Sequence, residues 1–564
     1  MSSASDHPAG STSRRSLLQQ LTTRVEQTML VEVAAVSVAT GLSDATTLVG
    51  ISALAVALTR GDDSVHVAGM QWATTTVLLV SLAAAVTRLF LGAWAARRSG
   101  TLAARVVHRH RVLVIERFLR APWPHASLIE IGTLQQIAAT NSQIAGAHAL
   151  IWSTGLAAAV SLGVLTIVAL LLQPAAALAV LVLGVAAAFV MRPMQRRARL
   201  AGDVEAALAR DLSVDIARLA ASDLVTKSFD TGAAVQQRFD AASAEQVVAY
   251  RRGRTLALLS PVLFQTVVAA VVLISVAILA AADLDDLAAV GAVALLALRS
   301  MSYAQVVQQA VQTCDAQRGY VEQLLTLEAE LETAAIVDGT VETPPVASLE
   351  LRGVVLERPS GRHRLGPVDL HIARNEVVGI TGPSGAGKST LLEVLVRLRR
   401  PTAGTVLVND LDAATCTAAS WSSRVALVPQ QPLMIAGTVA DNVRWFRDLD
   451  DDAVHRACEL AAVADEVARW PQGYETPVGD GGSALSVGQR QRLCLARALA
   501  GEPDVIVLDE ATSALDAASE AAITRALAGL RGSLTVVLVA HGAAALAMCD
   551  RVITIDDGRI LPSP

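Results

Sequence analysis

The chain has 564 residues, a net charge of −6 and 53% hydrophobic residues, with a mean hydropathy of +0.47. That apolar fraction excludes a wholly soluble protein, and the slight acidity gives no sign of nucleic-acid binding. The length allows about three or four domains. Aromatic residues make up only 3%, so Ala, Val and Leu carry the hydrophobicity. Five cysteines (Cys314, Cys416, Cys458, Cys494, Cys549) show no C-x-x-C spacing. They indicate neither a zinc site nor a disulfide framework, and read as thiols kept reduced in a cytosolic compartment.

Residues 1–15 are polar and Ser-rich, lack the apolar core of a signal peptide and read as a disordered tail, within a polar amino-terminal tail over residues 1–25. A spanning helix needs about 20 mostly apolar residues. Six stretches meet that need, at 29–58, 72–95, 147–172, 175–190, 256–282 and 287–312, within a membrane domain over residues 26–316. With the first span starting near residue 29, no amino-terminal peptidase domain is expected. Basic residues mark alternate connections. Arg97, Arg98, Arg105, Arg109 and Arg111 follow the second span, Arg192, Arg196, Arg197 and Arg199 the fourth, and Arg251, Arg252 and Arg254 precede the fifth. The opposite connections carry Asp62, Asp63, Asp283, Asp285 and Asp286. This asymmetry predicts a multi-pass protein of the cytoplasmic membrane, both termini in the cytosol. The long connections 99–146 and 191–255 keep helical periodicity. They read as helices running on into the cytosol, with turns near 132–136 and 229–233 that reach a cytosolic domain.

Charge inside a span is costly and points to function or pairing. Asp44 falls near mid-depth of the first span and Arg88 on the antiparallel second. They are expected to pair, or both to face a water-filled cavity that Arg299 and Tyr303 of the sixth helix also line. The alternative for the two arginines is that they snorkel to the inner interface.

Residues 317–346 read as a linker, with a Glu-rich helix in 326–346 ahead of Thr343-Pro-Pro345. From 347 to 564 strands alternate with helices, which predicts an α/β P-loop domain. The run Gly382, Pro383, Ser384, Gly385, Ala386, Gly387, Lys388, Ser389, Thr390 fits G-x-x-x-x-G-K-[ST], between a strand at 376–381 and a helix at 391–398. Backbone N–H groups and a helix N-terminus there face a phosphate. Lys388 reaches the β- and γ-phosphates, and Ser389 ligates Mg²⁺. Gln430 follows a strand at 425–428. The apolar strand 505–508 delivers Asp509 toward the same Mg²⁺, and Glu510 is placed to polarise an attacking water. Strand 534–540 ends in His541, positioned for the γ-phosphate.

Leu485-Ser-Val-Gly-Gln489, followed by a basic helix at 490–500 and the 505–508 strand, resembles the signature of ABC (ATP-binding cassette) ATPases. Six helices fused ahead of such a cassette resemble an exporter-type half-transporter of the multidrug, lipid and peptide exporting family. The resemblance covers about residues 17–560. It implies ATP and Mg²⁺ as cofactors, residues 382–390 as Walker A, Asp509 as Walker B, and Glu510, His541 and Gln430 as the hydrolytic set, with Gln430 also on the metal. It makes residues 513–516 the D-loop and 479–482 the segment facing the membrane domain's cytosolic turns. It further implies a second half-transporter as partner, identical or not. Ser486, Gly488 and Gln489 of one chain then complete the ATP site of the other. Two positions depart from the family pattern. Val487 stands where a glycine is usual, and Arg358 stands where an aromatic ring usually stacks on adenine, a place a guanidinium can fill.

The function implied is ATP-driven export of an amphipathic small molecule, lipid or peptide. The alternatives are the weaker half of a heterodimer, an importer, or a nucleotide-gated regulator.

Overall fold

The computed structural model describes residues 14–60, 63–67, 70–172, 174–280, 287–334, 338–357, 364–511, 516–540 and 542–561. The chain divides into two units, residues 1–121 with 125–335, and residues 336–564 with 122–124.

The first unit is helical. A short helix, Arg14–Leu21, precedes six long ones: α1 (Arg24–Arg60), α2 (Thr74–Arg120), α3 (Ser142–Leu172), α4 (Pro174–Ala221), α5 (Gly232–Ala280) and α6 (Leu287–Ala334). At 1.5 Å per residue the 47 residues of α2 extend roughly 70 Å, more than twice a hydrocarbon core. Helices of this length carry the apolar runs and continue through the basic connections. Over 24–59, 74–120 and 131–172 the described helices are long and apolar enough to cross a membrane. Along α2 the exposed side chains include Leu78, Leu79, Leu82, Leu89 and Phe90, as a lipid-facing surface requires.

Several boundaries differ from the sequence reading. Within the polar amino-terminal tail, residues 14–21 form a helix, with Leu17 and Leu21 buried against α2, α3 and α6 residues. Eight residues are too few for hydrophobic periodicity to register. Trp72 belongs to a hairpin, Ser64–Val67 with Met70–Ala73, so α2 starts two residues after it. Residues 317–334, taken as linker, extend α6. Their polarity is one-sided, because Val321, Leu324 and Leu331 are buried. Around 132–136 the chain forms a short helix, Ile131–Gln136, continued by a π-helical turn. Residues 229–231 do turn, between the short helix Asp223–Ser228 and α5.

Polar contacts bind these helices below the apolar runs. His110 of α2 is buried, and its Nδ1 lies 2.7 Å from the Glu328 carboxylate of α6. Arg117 donates to the Glu328 carbonyl at 2.9 Å, and Arg109 pairs with Glu26 of α1 at 3.1 Å.

The second unit is α/β. Its strands are β1 (Ser348–Glu357), β2 (Arg364–Ala373), β3 (Val377–Thr381), β4 (Ala403–Val408), β5 (Leu411–Asp412), β6 (Val425–Val428), β7 (Val505–Asp509), β8 (Thr535–Val539), β9 (Arg551–Asp556) and β10 (Arg559–Ile560). One sheet has the order β10-β9-β3-β8-β7-β6, parallel except at β10. An antiparallel sheet has the order β2-β1-β4-β5. The central strands are continuous apolar runs, fully buried, as a parallel sheet covered on both faces demands. One core lies between the two sheets and around helix α7 (Lys388–Leu395). The other lies under helix α10 (Val487–Leu499), which follows α8 (Val439–Arg444) and α9 (Asp451–Leu460).

Candidate functional site

Register sets the site. Ile380 of β3 pairs with Val539 of β8, and Val539 pairs with Asp509 of β7. The phosphate loop, Asp509 and the end of β8 therefore leave the sheet at one carboxyl edge, the place where parallel α/β sheets bind ligands. His541 would follow two residues beyond β8; it lies outside the described residues, as do Arg358 and 513–515.

The loop from Gly382 to Gly387 joins β3 to α7. A Cβ at Gly382 would come within 2.0 Å of the Ile555 carbonyl oxygen, so only glycine fits there. Gly387 caps α7 with φ of 103°, in the left-handed region. A cavity of about 360 Å³ opens over this loop, lined by Ser384 to Thr390 together with Leu356, Leu365, Gln430, Glu510, Asp557 and Gly558. Lys388 is buried, and its Nζ donates to the carbonyls of Gly382 at 2.9 Å and Pro383 at 3.0 Å, which holds it across the loop.

Ser389 Oγ donates to Asp509 at 3.2 Å, across 120 residues of sequence. Burial pushes the Asp509 carboxyl above its usual range. The neighbouring Glu510 and Glu393 push it further, against the hydrogen bond from Ser389 and the charge of Lys388. A hydroxyl and a carboxylate beside a phosphate loop are hard oxygen donors of the kind Mg²⁺ prefers, and the raised carboxyl is one that a cation would relieve. These residues fit the metal.

Glu510 accepts a hydrogen bond from Gln430 Nε2 at 2.9 Å, and its φ is 47°. A non-glycine residue in that region carries strain of about 1–3 kcal/mol, of a kind that clusters at functional positions. Gln430 stands just past β6, as read from the sequence, and is exposed to the cavity.

Asp557 and Gly558 were not foreseen. They form the two-residue turn between β9 and β10, and the Gly558 N–H donates to the Ala386 carbonyl at 3.0 Å. The Asp-Gly pair is a hairpin signal. Its place at the site follows from β9 lying next to β3, which no local pattern reveals.

Ser486 caps α10. Its hydroxyl accepts from the Gln489 N–H at 3.2 Å, and Gln489 Oε1 accepts from the Ser486 N–H at 2.7 Å. Gln489 also donates to Glu466, which Arg492 holds at 2.6 Å. Neither Ser486 nor Gly488 nor Gln489 is among the described residues lining the phosphate-loop cavity of this chain. Val487 is the first residue of α10, half-exposed, with a helical backbone that does not call for glycine. Val487→Gly is therefore expected to change nucleotide turnover by less than about twofold, costing only the roughly 0.5–1 kcal/mol of glycine in a helix. A several-fold rise in turnover would show that the side chain obstructs the site. Asp516 caps α11 (Ala517–Gly529), accepting from the Ser519 N–H at 2.8 Å. Residues 479–482 form a turn whose Gly482 carbonyl accepts from Arg490 at 3.1 Å.

In the helical unit the four polar residues picked out within the spans do converge. Asp44 is buried in α1. It takes Arg88 Nε of α2 at 2.5 Å, Arg299 Nε of α6 at 3.1 Å, and the Tyr303 hydroxyl at 2.5 Å. Neither arginine is left to snorkel unpaired.

Residues 365–513 match the sequence family described as ABC transporter. The human ATP-binding cassette sub-family B member 6 is 36% identical over 214 residues, covering 38% of this chain and 25% of that protein. The mycobactin import ATP-binding/permease protein IrtB of Mycobacterium tuberculosis is 44% identical over 199 residues, 35% of this chain and 34% of that protein. The ATP-dependent lipid A-core flippase of Ralstonia nicotianae is 37% identical over 207 residues, 36% of this chain and 35% of that protein. These matches span about a quarter to a third of the relatives' lengths. A solved bacterial Atm1-family ABC exporter with ATP bound superimposes with a TM-score of 0.75 at 20% identity, over 98% of this chain and 95% of that one. At that identity the likeness concerns the fold.

Proposed function

We propose that this chain, which has the fold of an exporter-type ABC transporter and carries an ABC transporter ATP-binding domain, is one half of an ATP-driven transporter of the cytoplasmic membrane. The observation that supports this most is the pairing of Ser389 with Asp509 and of Gln430 with Glu510 at one strand edge, over one phosphate loop. A module that only binds nucleotide has no use for a strained carboxylate poised there.

In this reading Lys388 and the backbone N–H groups opening α7 neutralise the phosphates. Glu510, oriented by Gln430, takes the proton of the attacking water. Ser389, Asp509 and Gln430 would hold Mg²⁺, which when bound would supply charge neutralisation on the phosphate oxygens. His541 contacts the γ-phosphate and Arg358 stacks on adenine. Ser486, Gly488 and Gln489, outside their own chain's cavity, complete the site of a second chain. Cassette closure and hydrolysis then switch the helices between inward- and outward-facing states. The cargo is an amphipathic small molecule, lipid or peptide. Import is a second reading, favoured by the 44% identity to a protein named for mycobactin import.

Lys388→Ala tests the binding half of the scheme. It should weaken ATP binding at least ~10-fold, the size of one lost charge-assisted contact, in equilibrium titration with labelled nucleotide. Unchanged affinity would overturn the phosphate-loop assignment. ATP-dependent uptake into inside-out vesicles marks export, and uptake into right-side-out vesicles marks import.

A further inference from the structure

Where the apolar run of α4 ends, residues 191–202 hold Arg192, Arg196, Arg197 and Arg199 and no acid. On α5, residues 248–258 hold Arg251, Arg252 and Arg254 and again no acid. The two helices pack together, and between them lies a crevice of about 550 Å³. Arg197, Arg251 and Arg252 line it with Leu200, Val204 and Leu256. Two nearby arginines turn away, Arg192 over the Phe189 ring at 4.7 Å and Arg254 over the Tyr250 ring at 4.9 Å. The next acids along α4, Asp203 and Glu205, feel the charges of Arg199 and Arg254 respectively. Among the described residues Arg197, Arg251 and Arg252 are exposed and form no ion pair.

We infer that this crevice binds an anionic phospholipid of the inner leaflet, its phosphate on Arg197, Arg251 and Arg252 and its apolar part along Leu256, which leads into the apolar run of α5. Guanidinium forks match phosphate oxygens. A free phosphate would leave the apolar wall unused, and a zwitterionic headgroup would bring its ammonium against three cations. The place is also right. The helices leave their apolar runs here, on the side that the arginine bias assigns to the cytosol, where anionic lipids meet basic pockets between helices. This site is distinct from the ATP site and independent of the direction of transport.

The test reconstitutes the full chain with equal phosphatidylcholine and phosphatidylglycerol, extracts it mildly, and counts retained lipids by native mass spectrometry. The wild type is expected to retain phosphatidylglycerol over phosphatidylcholine at least ~10-fold. Replacing Arg197, Arg251 and Arg252 together by Gln should bring the ratio within about twofold of unity, while replacement by Lys, which keeps the charge and loses the fork, should leave an intermediate preference. Each single Gln substitution, which guards against misassembly of the triple variant, should cost about threefold. Equal retention by the wild type overturns the inference, and so do three single variants with unchanged preference. Displacement of phosphatidylglycerol by inorganic phosphate also overturns it, because the crevice would then be a simple anion site.

Discussion

Glu510→Gln is expected to lower Mg-ATP turnover by at least ~10²-fold, the low end for a general base, while ATP binding stays within about threefold. The substitution is nearly isosteric, so the side chain can still meet Gln430, now 2.9 Å away, and the strained backbone at φ 47° need not move. What disappears is the basicity. Lys388, Ser389 and the loop backbone, which carry the binding, are untouched. The variant should therefore hold ATP and stall with its two cassettes closed. A phosphate-release assay beside nucleotide retention on size exclusion measures both effects. Wild-type turnover in the variant would remove Glu510 from the mechanism.

Asp44→Asn is expected to have the second-largest effect, on the helical unit. The carboxylate is buried at 3% exposure and joins α1, α2 and α6 through two arginines and a tyrosine. Removing one partner of a buried ion pair costs about 3–5 kcal/mol, chiefly by leaving charge unpaired. The Arg88 and Arg299 side chains are 44% and 31% exposed, which places the cost near the lower bound. The expected outcome is a lowered melting temperature in detergent and loss of transport. Adding Arg88→Gln should recover part of the stability, since one of the two stranded cations goes with it. Charge reversal at Asp44 that leaves assembly and transport intact would show that the cluster is dispensable.

Legibility followed from how local each signal was. The phosphate loop is nine contiguous residues with a strand before and a helix after, so its chemistry was readable whole. Gln430, Asp509 and Glu510 were readable because each ends a short apolar run, although their meeting depends on sheet order. The Asp44–Arg88 pair was readable as one of two alternatives, because a charge in lipid must find another or face water; that Arg299 and Tyr303 also bind Asp44, rather than only line a shared cavity, depends on helix packing. Asp557 and Gly558 were hidden because their turn reaches the loop only through the β9–β3 neighbourhood. Glu466, which holds Gln489, was hidden for the same reason: an acid in the Ala464–Val467 helix gives no sign of its partner. The 14–21 helix and the unbroken run of α6 to residue 334 were not legible because both are polar on one side. Composition averages the two faces, whereas burial separates them.

The most direct measurement is the Mg-ATPase rate of this chain purified alone in lipid, beside Glu510→Gln and beside the same chain co-expressed with a second half-transporter. A robust rate from the lone chain, abolished in Glu510→Gln, is the expected result, and means that two identical copies suffice and Val487 is tolerated in the signature. A rate that appears only with the second half-transporter would mean a heterodimer. No hydrolysis under either condition would contradict ATP-driven transport and leave a nucleotide-gated module.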